Sequence, residues 1–482
     1  MQLRAVVAAQ AGQRTAEFAP TNRENYLLSL RVPSTWGDFR LELERQANHA
    51  PFVFGTVYVN GRFEFDKPYV SPQSQALRIY ERQAFYWQKQ FGAETQMIVS
   101  AQQAQVSRRE TLVGFWDIKN TSQLNGYWRE LDASARQKDV DFNISSAATF
   151  GGLRHHFTFA AQQHQQSLNF SGPQSISQFA INIANPVWPI NLSTLTLRPR
   201  TLQESYKETG FAATDRIELG SGFEVRLGAR RSTVEITTAS NTPVPTTASK
   251  FAHTTYAGAL AWQMSPVYRA WLANTASFEP NRGLLSSGGF LPPQYGRQID
   301  AGLAFSNGLQ RWSASVFNIQ QTNLPNTDPL DKNFIVPAGS ARVSDIVLSG
   351  GGKFGDLTID ANATFQRGRA ADLTSPAQGK LSVGQPSWLG GARIEGRISN
   401  SVTWWVNPQW RGPRPADATG SLYAPAYIRW DAGIKHQIAP HTTLAVQLDN
   451  ITDKRYVQAI NSDDNVWQGP RRRMVVQLTQ NF

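Results

Sequence analysis

Apolar and polar residues alternate along many stretches of this chain. The clearest are 223–230, 298–305, 357–365, 428–438 and 444–449, where every second residue is apolar and its neighbours are mostly polar, charged or glycine. A period of two is typical of a strand with one apolar and one polar face. No stretch repeats comparably at helical spacing. The pattern therefore predicts an all-β chain, clearest from residue 150 onward.

The connections between the predicted strands alternate in length. Glycine, asparagine, aspartate and serine mark tight turns at 220–222, 306–308, 355–356 and 400–401. Long polar stretches lie between the resulting hairpins, at 168–201, 237–250, 279–294, 322–340, 367–385, 411–424 and 453–468. Short turns at one end of a sheet and long loops at the other are the layout of an outer-membrane barrel, with periplasmic turns and extracellular loops.

The composition of the two strand faces separates a membrane barrel from a soluble sandwich. The apolar face carries aromatic residues near strand ends, which would form the interfacial girdles of a barrel: Phe223, Phe305, Trp312, Phe365, Trp430 and Phe482. A sandwich core would accept the same aromatics. However, the other face carries Arg, Asp and Lys on strand after strand, as a polar lumen would and a soluble barrel interior would not.

The composition excludes several other classes of protein. The chain has 482 residues, no Cys, 17% charged and 11% aromatic residues. Disulfides and Cys-ligated metal sites are impossible, and the longest apolar run, Ala5–Ala9, is far too short for a spanning helix. About 20 to 22 strands with their loops use up the whole length. We predict one domain, 1–482: a transmembrane antiparallel β-barrel of about 22 strands, beginning with a strand at 3–10.

Several motifs occur in order along the chain. They are GGLRHHFTF at 151–159, the strand–turn–strand 207–230, SFEP at 277–280 with LPPQ at 291–294, DNITDKRY at 449–456, and an amphipathic terminal strand at 473–482. Each motif is weakly specific, but together their order and spacing resemble TonB-dependent outer-membrane receptors, and the closest match is the ferric-siderophore branch. Phe211 and Gln294 stand where the family usually has Tyr and Glu.

The resemblance implies a function and several partners. It implies a receptor and transporter barrel in the bacterial outer membrane that takes up ferric siderophores and is energised by the TonB complex. It also implies that the assembly machinery reads the terminal Phe482, and we expect a monomer surrounded by lipopolysaccharide. The family has a signal peptide, a TonB box and a plug before the barrel, and none precedes Met1. We expect a truncated gene model, an internal start or a split gene, with a genuine plugless pore as the alternative.

Cationic and aromatic side chains in the long loops are the candidates for siderophore binding, because large anionic chelates call for both. An ordinary solvated loop or a lipopolysaccharide contact is the alternative for each. The triplet 471–473 of arginines is expected to anchor lipid phosphates or to face the lumen. The ligand candidates are Arg282, Tyr295, Arg367, Arg369, Arg411, Arg414, Tyr423, Tyr456 and Trp467.

Other functions have weaker support. His155, His156 and His164 lack a metal-binding motif, no G-x-S-x-G elbow is present, and the glycines at 350–352 are followed by Lys353 and Phe354, unlike a phosphate loop. The net charge of +11 comes from scattered basic residues, which does not favour nucleic acid. We expect no enzyme, cofactor or metal. A passive porin-like channel stays open as an alternative, followed by a hydrolase embedded in the barrel.

Overall fold

The computed structural model describes most of the chain. The described residues are 1–14, 19–50, 55–59, 61–65, 69, 71–116, 122–175, 179–187, 190–240, 247–281, 285–287, 289–327, 335–370, 380–417, 419–462 and 465–480. Within these ranges the secondary structure is strand apart from one 3₁₀ turn, Leu192–Thr194. None of the described segments is a helix of the length and apolarity needed to cross a membrane.

The strands follow one another with few interruptions. They are β1 (Gln2–Arg14), β2 (Ala19–Ser34), β3 (Gly37–Ala50), β4 (Tyr58–Val59), β5 (Arg62–Phe63), β6 (Gln75–Phe91), β7 (Thr95–Trp116), β8 (Gln123–Phe150), β9 (Leu153–Ser175), β10 (Phe179–Asn182), β11 (Leu197–Gly220), β12 (Phe223–Ser240), β13 (Thr247–Gln263), β14 (Tyr268–Glu279), β15 (Gln294–Ser306), β16 (Gln310–Thr327), β17 (Ile335–Phe354), β18 (Leu357–Ala370), β19 (Trp388–Arg397), β20 (Val402–Arg411), β21 (Arg414–Pro415), β22 (Tyr423–Ala424), β23 (Tyr427–Ala439), β24 (Thr442–Asp449), β25 (Val457–Ser462), β26 (Asn465–Gln468) and β27 (Arg473–Gln480).

Most of these strands form one antiparallel sheet of 21 strands. Each long strand pairs with the next long strand along the chain, from β1 with β2 to β24 with β27, and β10 pairs with the start of β8. The remaining strands form two-stranded sheets inside the long connections: β4 with β5, β21 with β22, and β25 with β26. The prediction of an all-β, antiparallel architecture is confirmed, and the number of about 22 strands stays a prediction.

Short and long connections lie at opposite ends of this sheet, which we name the turn end and the loop end. At the turn end β11 and β12 are joined at Ser221 and Gly222, where Ser221 has a φ of 50° and Gly222 a φ of 79°. Glycine favours this left-handed region because it has no Cβ. At the loop end β14 and β15 are separated by 280–293, close to the predicted loop. The sorted connection lengths expected of a barrel are confirmed.

Several predicted loops are shorter than expected, and two of them show this clearly. β12 continues to Ser240 and β13 begins at Thr247, although 237–250 was assigned entirely to a loop. Similarly, β9 continues to Ser175 and β11 begins at Leu197 inside the predicted loop 168–201. The polarity of these segments suggested loops, but backbone pairing continues wherever a neighbouring strand supplies partners.

The two faces of the sheet have the composition predicted from the alternation. The apolar side chains point outward: Ile299, Leu303 and Phe365 are 45–50% exposed. Charged residues of the opposite face are more covered, for example Glu110, which lies between Arg78 and Arg108. An apolar outer face with a polar inner face is the arrangement of a membrane barrel.

The strands of the large sheet, which we name the wall, differ in length around the sheet. β8 has 28 residues and its neighbours β7, β9 and β11 have 22, 23 and 24, whereas β24 and β27 have only 8 each. A spanning strand needs about 9–11 residues. The strands of the tall side therefore extend well beyond the bilayer, and the short side carries long loops instead.

The main apolar core lies in the loops at the loop end, and we name it the loop cluster. Three long connections and the ends of β7, β8 and β10 contribute buried side chains to it: Val57, Val59, Phe63, Tyr69, Leu112, Phe115, Leu124, Ile181, Ile183, Ala416, Leu422, Ala424, Val457 and Val466. Backbone bonds join the same segments, as the Thr56 amide donates to the Val466 carbonyl at 2.6 Å. The loops therefore form one packed unit.

Candidate functional site

A groove of about 880 Å³ lies against the strands β15–β20 and β23. Its volume is within the range of small-molecule sites, about 300–1,000 Å³. Most of the polar residues that line it belong to the inner face of the sheet, because they alternate with the exposed apolar residues. The polar lining consists mainly of Arg311, Ser313, Asp360, Asn362, Arg393, Asn407, Gln409, Arg411 and Tyr427.

The arginines of the groove differ in their partners. Arg311 reaches Asp360 across β17, with 2.7 Å between Nη2 and Oδ1. Gly351 lies between them, and a Cβ there would be 2.3 Å from the Asp360 carboxylate. Arg393 pairs with Glu395 at 3.0 Å. Arg411, by contrast, donates from Nη1 to the Gln458 carbonyl at 3.1 Å. The guanidinium of Arg411, at the loop end of the groove, is therefore bonded to a neutral carbonyl and not to a carboxylate.

Arg414 lies behind the groove as a buried cation. It is only 1% exposed, it donates from Nη2 to the Val457 carbonyl, and its guanidinium carbon is 5.9 Å from the centre of the Tyr427 ring. None of the described residues forms an ion pair with it. Burial lowers the pKa of Arg414, and the nearby Arg411 adds to this effect. The loop end of the groove therefore carries excess positive charge.

Tyr456 connects the groove wall to the loop 450–472. Its ring centre is 4.4 Å from that of Tyr427, and its hydroxyl accepts a hydrogen bond of 3.1 Å from Arg429 Nη1. Burial raises the pKa of the Tyr456 phenol. Gly469 leaves room for this ring, since a Cβ there would come within 1.9 Å of it. The other face of the groove residue Tyr427 is thus packed against a loop.

The predicted motif DNITDKRY at 449–456, which we name the box, forms the turn that starts this loop. Asn450 and Asp453 adopt φ values near +50°. The Asn450 amide donates to the Lys454 and Pro470 carbonyls at 2.9 Å. Asp453 accepts from Arg471 Nε at 2.8 Å, and this partner keeps the Asp453 pKa well below its usual range. The box therefore closes the base of the loop 450–472.

The arginine triplet has partners within the chain. Arg471 pairs with Asp453, and Arg473 pairs with Asp449 at 2.6 Å. The Arg472 amide donates to Asp453 at 2.9 Å. The carboxylates of the box thus hold two of the three arginines that were expected to meet lipid phosphates or the lumen.

The structure gathers some of the predicted ligand residues and separates others. Arg411, Arg414, Tyr423, Tyr456 and Trp467 lie in or beside the two adjacent loops 412–426 and 450–472. Of these, Arg414 and Tyr456 are almost fully buried, so in this conformation they offer little surface to a ligand, whereas Tyr423 is 45% exposed.

The remaining predicted residues lie elsewhere. Tyr295 is at the start of β15, with its ring centre 4.8 Å from that of His253. Arg367 and Arg369 occupy exposed positions of β18 on the same face as Phe365, which is the outer face. Arg282 and Phe482 lie outside the described residues.

Sequence reasoning identified Arg411 but missed the other inward-facing members of the groove. Arg311, Asp360, Arg393 and Tyr427 lie on strands, whereas the predicted ligand residues were assigned to loops. The signal was available in the alternation, because each of them lies on the polar face of its strand.

The histidines are bonded to carboxylates. His155 Nδ1 lies 2.7 Å from Asp215 and His156 Nε2 lies 2.8 Å from Glu218, while His164 contacts Asp139. Across the described part of the chain there is no group of three or more His, Asp or Glu side chains that could hold a metal ion.

Comparison with known proteins identifies the family. Residues 12–451 match the family described as "TonB dependent receptor-like, beta-barrel", and the chain therefore belongs to it. The chain is 25% identical over 362 residues to the metal-pseudopaline receptor CntO of Pseudomonas aeruginosa, covering 69% of this chain and 49% of that receptor. It is 19% identical over 388 residues to the ferrioxamine receptor of Yersinia enterocolitica, covering 77% and 54%.

Solved structures show the same fold. The siderophore receptor PiuA from Acinetobacter baumannii matches with a TM-score of 0.89 at 13% identity, covering 99% of this chain and 77% of that one. The ferric preacinetobactin receptor BauA from the same species matches with a TM-score of 0.87 at 16% identity, covering 100% and 75%. The family and these relatives indicate the bacterial outer membrane. The chain spans about half the length of the curated relatives it matches.

Proposed function

We propose that this chain is the translocating barrel of a receptor that takes up a ferric siderophore or a related metal chelate. The observation that carries the proposal is the groove beneath the loops, with Arg411 and Tyr427 at its loop end. Relatives that bear the names of metal-chelate receptors support the same class of ligand.

The residues of the groove are suited to this ligand. Guanidinium groups bind carboxylate and other anionic oxygens through charge-assisted hydrogen bonds, and aromatic rings pack against the flat parts of a chelate. The proposed role is binding and passage rather than catalysis. Energised uptake would involve the TonB complex, and assembly would require the outer-membrane machinery to recognise the C-terminal strand.

Direct titration tests the ligand class. The purified chain, refolded in detergent, is titrated with ferrioxamine B and with a ferric chelate rich in carboxylates, and its tryptophan fluorescence is followed. We expect saturable quenching by at least one of them. Arg411→Gln should weaken that binding about tenfold, the effect of losing one charge-assisted hydrogen bond.

The matched control is Arg397→Gln, which removes the same charge at the turn end, away from the groove. It should leave binding unchanged. If neither chelate quenches fluorescence saturably and the chain gives a steady open conductance in planar bilayers, the receptor proposal is wrong and the passive channel takes its place.

A further inference from the structure

Two buried oxygen atoms at the inner face of the wall lack a hydrogen-bond donor. They are Oδ1 of Asp345, in the middle of β17, and Oε1 of Gln385, in the connection between β18 and β19. Neither accepts a hydrogen bond within the part of the chain that the structure describes, and Asp345 is only 8% exposed. A buried acceptor without a donor costs free energy, and a charged one costs most. The two oxygens therefore require an explanation.

Asp345 lies in apolar surroundings on the inner face. Val343, two residues away, shares its face, and the residues directly opposite on β16 and β18 are Phe317 and Gln366. The Gln366 side chain donates to the Pro386 carbonyl at 2.8 Å, so its amide is directed elsewhere. Among the described residues, no Lys or Arg side chain forms an ion pair with Asp345. The carboxylate thus has no cation of the chain to balance its charge.

The segment 380–387 brings Gln385 to the same part of the inner face. It runs beside the end of β18, where the Ser382 amide donates to the Gly368 carbonyl at 3.2 Å. Gly368 is a diagonal neighbour of Asp345 on this face, and such neighbours are about 7–8 Å apart. A Cβ on Gly368 would be 2.3 Å from Gln385 Oε1 and 3.2 Å from Ser382 Oγ. Oxygen atoms of three side chains therefore surround one small region beside this glycine.

We propose that this region binds a small hard cation, calcium or sodium, and we name it the oxygen site: Asp345, Ser382 and Gln385. Calcium accepts carboxylate and amide oxygens in flexible geometry, with carbonyls and waters completing the shell. A single carboxylate gives a low ligand charge, which is typical of sites with dissociation constants of about 10⁻⁴–10⁻³ M. The oxygen site thus differs from a cluster of three acidic or His side chains, of which the described residues contain none.

A cation in the oxygen site would hold the segment 380–387 between the wall and the loops. The Gly384 amide donates to the Pro415 carbonyl at 2.8 Å, and a Cβ on Gly384 would be 2.8 Å from the Ile460 carbonyl. The segment therefore contacts both of the loops 412–426 and 450–472. This role goes beyond the proposed uptake function, because it does not depend on which ligand enters the groove.

Asp300 provides an internal comparison. It also faces the lumen, on β15, but its carboxylate accepts a hydrogen bond of 2.5 Å from Trp271 Nε1. The chain itself thus supplies a donor to Asp300. Asp300→Asn is therefore the matched control for Asp345→Asn, because both remove the same charge from the inner face.

The test uses the full chain, refolded in detergent, dialysed against EDTA and choline chloride, and titrated with calcium or sodium chloride at constant ionic strength. Thermal unfolding and hydrogen exchange in 380–387 are followed. We expect a saturable rise in unfolding temperature and slower exchange with at least one of the two cations. Asp345→Asn should abolish both responses, and Asp300→Asn should keep them. Gln385→Glu should tighten calcium binding about tenfold, because it adds a second carboxylate.

Three outcomes overturn the proposal. If neither cation gives a saturable response, a proton or a water satisfies the carboxyl group of Asp345. If Asp345→Asn responds like the unaltered chain, the cation binds elsewhere. If Asp345→Asn does not fold, Gln385→Glu decides, and an unchanged calcium affinity in that folded variant contradicts the oxygen site.

Discussion

In the wall the apolar side chains are exposed and the charged ones are covered, whereas in the loop cluster the apolar side chains are buried. In the wall, Leu272 is 53% exposed while the carboxylate of Glu110 is completely covered. In the loop cluster, Leu124 and Val457 are completely covered, as in a soluble protein. The difference arises because the strands of the chain face lipid and its loops face water. Lipid accepts the apolar face of the strands, whereas water drives the loops to bury theirs.

The two regions therefore depend on different interactions. The strands are held by continuous backbone ladders, with charged side chains paired on the inner face. The loops have only short ladders, such as β21 with β22, and depend on apolar packing. Substitutions in the wall and in the loop cluster should therefore destabilise the protein for different reasons.

The largest effect is expected in the wall, at a buried charge. Glu110→Ala leaves Arg78 and Arg108 without their shared carboxylate. The carboxylate is completely covered but the arginines are 44% and 34% exposed, so the loss should be about 3 kcal/mol, the lower end of the range for breaking a buried pair. Urea unfolding of the refolded protein, followed by tryptophan fluorescence, measures the change. Asp360→Asn removes a more exposed pair and should cost about 1 kcal/mol or less. Equal losses for the two variants would contradict the distinction.

The next effect concerns the loop cluster. Leu124→Ala creates a cavity among fully buried side chains and should cost about 2–5 kcal/mol. Leu272→Ala removes the same atoms from a lipid-facing position and should cost less. Rates of protease cleavage in the loops 412–426 and 450–472 should rise for the first variant only. If cleavage rises equally for both, the loops are not one packed unit.

A smaller effect is expected where the loop meets the groove. Gly469→Ala places a methyl group against the Tyr456 ring, and such overpacking costs about 1–3 kcal/mol. Gly289→Ala is the matched control, because a Cβ there has open space around it. Gly469→Ala should also weaken chelate binding, because the Tyr456 ring packs against the groove residue Tyr427. Unchanged stability and binding would show that the ring moves freely.

The smallest effect concerns the pH dependence of the loop base. The pKa of Asp453 is depressed in the folded chain, so its contribution is complete above its ordinary value of about 4 and fades as the pH falls through the lowered value. Hydrogen exchange in 450–472 should therefore be protected from neutral pH down to about 4. Asp453→Asn should reduce that protection and remove its pH dependence. A wild-type loop that loses protection already near neutral pH would contradict this assignment.

Much of the fold follows from the alternation alone. The hairpins around 220–222 and 355–356 were predicted because turn residues interrupt a period of two, and both depend only on local sequence. The polar inner face and the membrane setting follow from the same pattern. The box at 449–456 was found from its spacing, but only the structure shows that Asn450 and Asp453 close the loop base.

The candidate site was less predictable. Arg367 and Arg369 were placed in a loop, yet β18 continues through them and its alternation turns them outward. Arg414 was expected at a rim, but packing of the loops against one another buries it.

The sequence by itself determined the class of fold, the layout of turns and loops, and the two faces of each strand, because these depend on neighbours one or two residues away. Only the tertiary structure decided which loops form the cluster, which charges share the groove, and which side-chain oxygens lie together beside Gly368. Those relations join residues far apart in the chain, such as Arg311 and Asp360, and they depend on the register of several strands at once.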